Sequence, residues 1–398
     1  MQYIVDMHEI IQDRLNTLNR ILQSTSSSST QNTFFSGRLG LLFYFYHAYQ
    51  ATDNSDFYQL GEKLLEAVFE DLNSGNPGLI GTAFSSGGAG LGYVVNALNK
   101  QRLITFEVDN EFNELDKYLF NTALSQIEED SIDYLHGALG VLHYFNDREQ
   151  TPVVNAYVNT LVEKLCERAV YTDAGVWFRN HVIKLDEKEN INFGLAHGLS
   201  GILMILINAW PHVQNKDLVK KVVKEGISFI LRHKIDVDFS NEEYTVFPFS
   251  IKQEASEITA TSRLAWCYGD LNEVLLFYRS HQMLGDAQLT SLADVIGTQT
   301  LLRKTSKATL AKDSHFCHGA SGLAQFYRTL YLETGNLAYQ QGYEYWIEQT
   351  VIMLDRDMKE GRWNGKEHNF LDGLLGSAFT LLSYVSNKEL HWSRALLL

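Results

Sequence analysis

Two of the three cysteines sit in matching surroundings. Cys267 lies in TSRLAWCYGD and Cys317 in SHFCHGAS, 50 residues apart, with His318 directly after the second. Two thiolate sulfurs and one imidazole form a soft donor set that suits zinc. Structural zinc takes four protein ligands, whereas three leave a position open for water or substrate. From spacing alone a second account stays open: two buried core cysteines and a histidine capping a helix. Cys166, in LVEKLCERAV, lacks such surroundings and reads as a small buried hydrophobe. His315 stands two residues before Cys317 and reads as a loop histidine rather than a further ligand.

Both cysteines fall two residues before a glycine that belongs to a repeat. The pattern is Gly, two residues, usually a second Gly, then an apolar run with aromatics. It reads SGRLGLLFYFYHAY from Ser36, SGGAGLGYVVNAL from Ser86, HGALGVLHYF from His136 and HGLSGILMILINAW from His197. It continues as YGDLNEVLLFYRS from Tyr268, HGASGLAQFYRTLY from His318 and DGLLGSAFTLLSYV from Asp372. The leading glycines, Gly37, Gly87, Gly137, Gly198, Gly269, Gly319 and Gly373, are spaced by 50, 50, 61, 71, 50 and 54 residues.

Fifty residues accommodate two helices of roughly four turns each with their connections. The Gly-led segments are apolar nearly all round, as buried inner helices must be. Asp56–Leu72, Val153–Val170 and Leu218–Leu231 carry apolar residues at helical spacing amid mixed charge, which suits an outer layer. The expected architecture is all-α: an α/α toroid of seven inner and seven outer helices, one domain over residues 1–398. A closed ring is favoured over an open solenoid because no polar terminal cap follows the seventh copy. The paired glycines remove side chains where helix starts crowd together at one end of the barrel. Spacers 171–193 and 235–260 read as loops with short hairpin strands. Ser24–Thr30 (STSSSST) reads as a flexible connector.

Composition agrees. Hydrophobic residues make up 45% and charged residues 20%, which excludes global disorder. Only four of 398 residues are proline, about 1% against a usual share of roughly 5%, which favours helices. Thirty-three basic against 48 acidic residues give a net charge of −15, which argues against a general nucleic-acid binder. MQYIVDMHEIIQDRL shows no secretory signal, and the longest apolar stretch, Leu199–Trp210, is too short to span a bilayer. Three cysteines make no disulfide framework. A cytoplasmic protein without a transmembrane segment is expected.

The seven Gly-x-x-Gly repeats, Trp-Cys-Tyr-Gly at 266–269 and Cys-His-Gly at 317–319 resemble the lanthionine synthetase C-like family, the cyclases of class I lanthipeptide biosynthesis and their relatives. The resemblance covers about residues 34–398. It implies an α/α toroid with one central zinc ion held by Cys267, Cys317 and His318. It further implies active-site roles for Arg263, four residues before the first cysteine, for Tyr268 after it, for His197 of Ala-His-Gly, and for Asp133, four residues before Gly137. One departure is Leu271-Asn272, where the family commonly has Pro-Gly. Another is His136, which occupies in the third repeat the place of His197 and reads as a helix-start histidine with an ordinary hydrogen bond rather than one pointing into the cavity.

The resemblance implies a zinc-dependent peptide cyclase. Cysteine thiols of a dehydrated precursor peptide would add to dehydroalanine or dehydrobutyrine, forming lanthionine or methyllanthionine thioether rings. His197 would protonate the α-carbon, with Arg263 and Asp133 stabilising or orienting. A complex with a lanthipeptide dehydratase and an exporter, peripheral to the inner membrane, is also implied. Two alternatives stand beside it: addition of glutathione or another thiol, and a non-catalytic zinc-containing scaffold for peptides.

Overall fold

Every Gly-led segment folds as a helix starting directly or almost directly after its glycine. The computed structural model describes residues 7–29, 31–181, 190–241, 243–252 and 257–398. With helices numbered along the chain, the outer layer is α1 (Met7–Thr25), α3 (Ser55–Asn73), α6 (Asn113–Glu128), α8 (Pro152–Glu167), α10 (Lys216–Arg232), α12 (Ala287–Thr300) and α15 (Leu337–Lys359). The inner layer is α2 (Arg38–Thr52), α4 (Gly88–Lys100), α7 (Ala138–Asp147), α9 (Leu199–Ala209), α11 (Leu271–Leu284), α14 (Ala320–Thr334) and α16 (Leu374–Val385). Each inner helix packs on the next, and α16 packs back on α2, closing the ring. The α/α toroid expected from the repeats is therefore present, with seven helices in each layer among the described residues. Two short helices, α5 (Val108–Glu111) and α13 (Ser306–Thr309), lie in connections.

The two layers start differently. Five outer helices, α3, α8, α10, α12 and α15, open on polar side-chain caps: Asn54 accepts from Asp56 N, Thr151 from Val154 N with Pro152 at the first helical position, and Asn215 from Leu218 N. Inner helices open on glycine, because backbone fills the space around their starts. A Cβ at Gly322 would collide with Phe316 O, and one at Gly201 with Leu195 O. Burial then holds the inner layer: Leu39 through Ala48 of α2 are all buried.

The spacers do form strands: β1 (Val170–Thr172) with β2 (Gly175–Trp177), and β3 (Asn190–Asn192), β4 (Ser250–Lys252) and β5 (Glu257–Thr259). The second set joins both spacers in one antiparallel sheet of order β3-β4-β5. Residues 182–189, 242 and 253–256 of those spacers lie outside the described residues, as does Thr30 of the serine-rich run. That run is not the flexible connector its composition suggested. Ser24 and Thr25 end α1, and Ser26–Ser28 form a 3-10 turn. Their hydroxyls fold back on helix carbonyls, Ser24 and Thr25 on Ile21 O and Ser26 on Gln23 O, at 2.8–2.9 Å.

The turns before the inner helices share one register. Three residues before the leading glycine stand Phe34, Phe84, Tyr134, Leu195, Trp266, Phe316 and Phe370, all buried. Neighbouring rings of this belt meet edge-on or tilted at 5.4–6.1 Å. The C-terminal segment fills the space beneath it. Trp392, fully buried, stacks on Phe379 at 4.8 Å and donates to Ser383 Oγ at 2.7 Å. Trp266 Nε1 donates to Leu396 O at 2.9 Å, and the Tyr134 hydroxyl donates to Ala395 O.

Candidate functional site

Backbone hydrogen bonds stitch successive turns together around the ring. Phe370 N donates to Phe35 O (2.7 Å), Phe35 N to Ser85 O (2.9 Å), Ser85 N to Leu135 O (3.0 Å), Leu195 N to Cys267 O (3.1 Å) and Cys317 N to Leu371 O (2.9 Å). Among the described residues, five of the seven junctions carry such a bond. The other two carry side chains instead. Between the third and fourth turns Asp133 reaches His197, and between the fifth and sixth Cys267 Sγ donates to Cys317 O at 3.4 Å.

At the second of these junctions the candidate ligands converge. One ligand atom each of Cys267, Cys317 and His318 lies within 4.8 Å of the others, with Cys267 buried and the other two half-buried. Zn–S bonds of about 2.3 Å and Zn–N bonds of about 2.0–2.1 Å would bring tetrahedral ligand atoms to about 4 Å or less, a small side-chain adjustment. The electrostatics fit a cation. The hydrogen bond with Cys267, reinforced by burial, holds the Cys317 thiol well above its usual range. Contact with Cys317 raises His318 against the opposing effect of burial. A divalent ion among these groups reverses that preference and favours thiolate. The donor set and its geometry therefore fit zinc.

At the first junction Asp133 is held from two sides. Its Oδ1 accepts from Leu135 N (2.8 Å) and His136 N (2.9 Å), and its Oδ2 meets His197 Nδ1 at 2.8 Å. The Asp133 side chain has no solvent exposure, whereas that of His197 keeps 15%. The carboxylate fixes Nδ1 as the donor, which leaves Nε2 of His197 for chemistry. His136 Nδ1 lies 3.2 Å from Ser85 Oγ on the neighbouring turn, and its ring stacks on His197 at 5.9 Å and 14°. Burial, opposed by Asp133, lowers the His136 pKa.

Arg263 and Tyr268 complete the group. Arg263 is half-buried, and its charge acts on both His318 and Tyr268. No described carboxylate forms an ion pair with it. The Tyr268 ring packs edge-on against Phe249 at 4.6 Å, which ties the site to the residue preceding β4. Burial, then Cys267 and Cys317, push its phenol pKa up. Cys166 is buried in α8, away from these turns.

Three sets of contacts could not be read from the sequence. His315 is not in the ligand cluster; its ring stands edge-on to His318 at 4.3 Å, and its Nδ1 faces Asp313. The Asp-x-His spacing was its only signal. Trp266 and Tyr134 anchor the C-terminal segment; a polar atom in a belt otherwise built of Phe and Leu marks them. The third is Asn272, whose amide bridges two turns.

Residues 28–397 match the lanthionine synthetase C-like protein family. The chain is 24% identical over 371 residues to the nisin biosynthesis protein NisC of Lactococcus lactis subsp. lactis, covering 87% of this chain and 84% of that protein. The solved structure of a nisin cyclase shares the fold, with a TM-score of 0.79 at 17% identity over 97% of this chain and 98% of that one. The family match spans nearly the whole described ring and includes every residue of both side-chain junctions, so this chain belongs to the lanthionine synthetase C-like family.

Proposed function

We propose that the chain is a zinc-dependent cyclase that closes thioether rings in a dehydrated precursor peptide, working in the cytoplasm as one ring domain. The observation that carries this is the pairing of two side-chain junctions in one ring of turns: a Cys267–Cys317–His318 cluster and a His197 oriented by buried Asp133. The similar proteins, a nisin biosynthesis protein and a nisin cyclase, point the same way.

Zinc, when bound, lowers the pKa of an arriving cysteine thiol while leaving its sulfur nucleophilic. The sulfur bonds to the β-carbon of dehydroalanine or dehydrobutyrine, and the double-bond electrons move toward the neighbouring carbonyl. His197 Nε2 delivers a proton to the α-carbon. Asp133 holds His197 in the productive tautomer and steadies the imidazolium before transfer. Arg263, whose charge acts on His318 and Tyr268, would stabilise the enolate or orient Asp133, and Tyr268 would stand beside the ligand cysteines. The thiol loses one proton and the α-carbon gains one, so the addition needs no oxidant or reductant. Holding both ends of the peptide in one cavity removes much of the entropic barrier.

The test supplies the dehydrated precursor and follows loss of free thiols by alkylation, with the uncatalysed rate subtracted. Thiol loss should be fast with wild-type protein and slower by about 10²–10⁴-fold with His197→Ala, which should still bind zinc. A His197→Ala protein cyclising at the wild-type rate would remove His197 from the reaction.

A further inference from the structure

We infer that Asn272 is a positioning residue that locks the turn carrying Cys267 to the turn carrying His197. This inference rests on the metal-centre reading above. In the other six repeats the position three residues after the leading glycine is itself glycine. Crowding explains why, since a side chain at Gly201 or Gly322 would collide with a carbonyl of the preceding turn. Asn272 places a whole side chain there, fully buried.

The fifth turn is remodelled to admit it. Gly269 has φ +112°, whereas the other six leading glycines lie between −109° and −141°. That positive φ is open to glycine and strained for other residues. There the Asn272 amide bonds in both directions. Nδ2 donates to Trp266 O at 3.0 Å and to Ala265 O at 3.4 Å. Oδ1 accepts from Leu195 N at 2.9 Å. The same Leu195 N also donates to Cys267 O at 3.1 Å. One buried side chain thus grips both residues preceding Cys267 and a residue two before His197. The ligand turn and the acid turn cannot shift independently while this bridge stands.

A purely structural bond would affect stability alone, so the test separates stability from metal binding and turnover. Asn272→Ala and Asn272→Gly are compared with Ser200→Ala. The last removes the buried Ser200–Glu273 bond (3.0 Å) between α9 and α11 without touching either turn. Zinc affinity is read by competition with a chromophoric chelator, turnover by thiol loss, and stability by thermal melting. Both Asn272 variants should bind one zinc with a Kd raised about tenfold, and should lose about tenfold in kcat with little change in KM. Ser200→Ala should melt earlier yet keep wild-type zinc affinity and kcat. If Asn272→Ala is too unstable to purify, Asn272→Gly decides, because it installs the residue the other six repeats carry. Wild-type zinc affinity and kcat in the folded Asn272 variants would overturn the inference and leave the metal centre standing. A wild-type chain that holds no zinc would overturn the metal centre, and the coupling with it.

Discussion

The Oδ2 of Asp133 lies 2.8 Å from Nδ1 of His197, across a junction between turns that no backbone hydrogen bond spans among the described residues. The reason is local. The Leu135 amide, whose counterparts Phe35 and Ser85 bond to the next turn, is turned back onto Asp133 Oδ1. Asp133 therefore replaces a backbone link with a side-chain link, and that link sets the orientation of His197.

Replacing Asp133 separates its two jobs. Asp133→Asn keeps an oxygen for the Leu135 and His136 amides but presents NH2 to His197 Nδ1, which favours the wrong tautomer. Its melting temperature should change little while kcat falls by roughly tenfold or more. Asp133→Ala should lose that activity and also about 1 kcal/mol of stability, because the turn amides lose their acceptor. Thiol-loss kinetics and thermal melts on both variants decide it. Equal activity in wild type and Asp133→Asn would detach the carboxylate from the reaction.

Metal content should follow the junction between the fifth and sixth turns. Cys267→Ala and Cys317→Ala should each lose the single zinc, measured by atomic emission on protein dialysed against a weak chelator. Cys166→Ala should retain it, since burial in α8 pushes that thiol up to about 12 and away from ligand chemistry. Circular dichroism should stay helical in all three, because the ring buries far more surface than three ligands tie together. Equal zinc in every variant means the ligands are misassigned.

Much of this was legible because the repeat imposes a register. The recurring glycine placed the inner helices, and its fixed offset from Cys267 and Cys317 brought them to one end of the ring. The Asp133–His197 contact joins residues 64 apart in repeats of unequal spacing, so only family likeness suggested it. Non-periodic contacts were invisible. Nothing in the pattern said that Leu396 O would meet Trp266 Nε1, or that the two spacers would share a sheet. The Asn272 replacement could be seen in the sequence, but the positive φ of Gly269 that accommodates it could not.

A buried histidine makes the ring acid-sensitive. His143, on α7, is 5% exposed and stacks on Tyr93 at 5.1 Å; burial pushes its pKa down to about 3. Unfolded, it titrates near 6.5. Below that value the unfolded chain takes up a proton that the folded chain refuses, so stability falls as pH falls from about 6.5 toward 3. The loss between pH 7 and pH 5 is roughly 2 kcal/mol for this one group. His143→Phe keeps a ring on Tyr93 and removes the proton. Urea melts at both pH values should therefore show a smaller acid loss in His143→Phe than in wild type. Parallel losses in the two proteins would mean that His143 is protonated in the folded state.

The C-terminal segment offers the last test, because it supports the site from beneath. Trp392 is fully buried against Phe379, Phe316 and Phe370, and four residues on, Leu396 O takes the indole proton of Trp266 beside Cys267. Trp392→Ala should cost about 3–5 kcal/mol, the usual penalty for emptying a large aromatic site. If the segment then loosens, Trp266 Nε1 loses its acceptor inside the belt, which costs about 1–3 kcal/mol more. Trp392→Phe should retain most of the packing and lose only the bond to Ser383 Oγ. The expected order of urea midpoints is therefore wild type, Trp392→Phe, Trp392→Ala, with the largest step at the last. Trp266 fluorescence, read as the emission lost on Trp266→Phe in a Trp392→Phe background, should shift when the segment is truncated after Lys388. An unchanged midpoint in Trp392→Ala would show that the segment merely rests against the ring, and the belt alone would then hold Trp266 and the neighbouring Cys267.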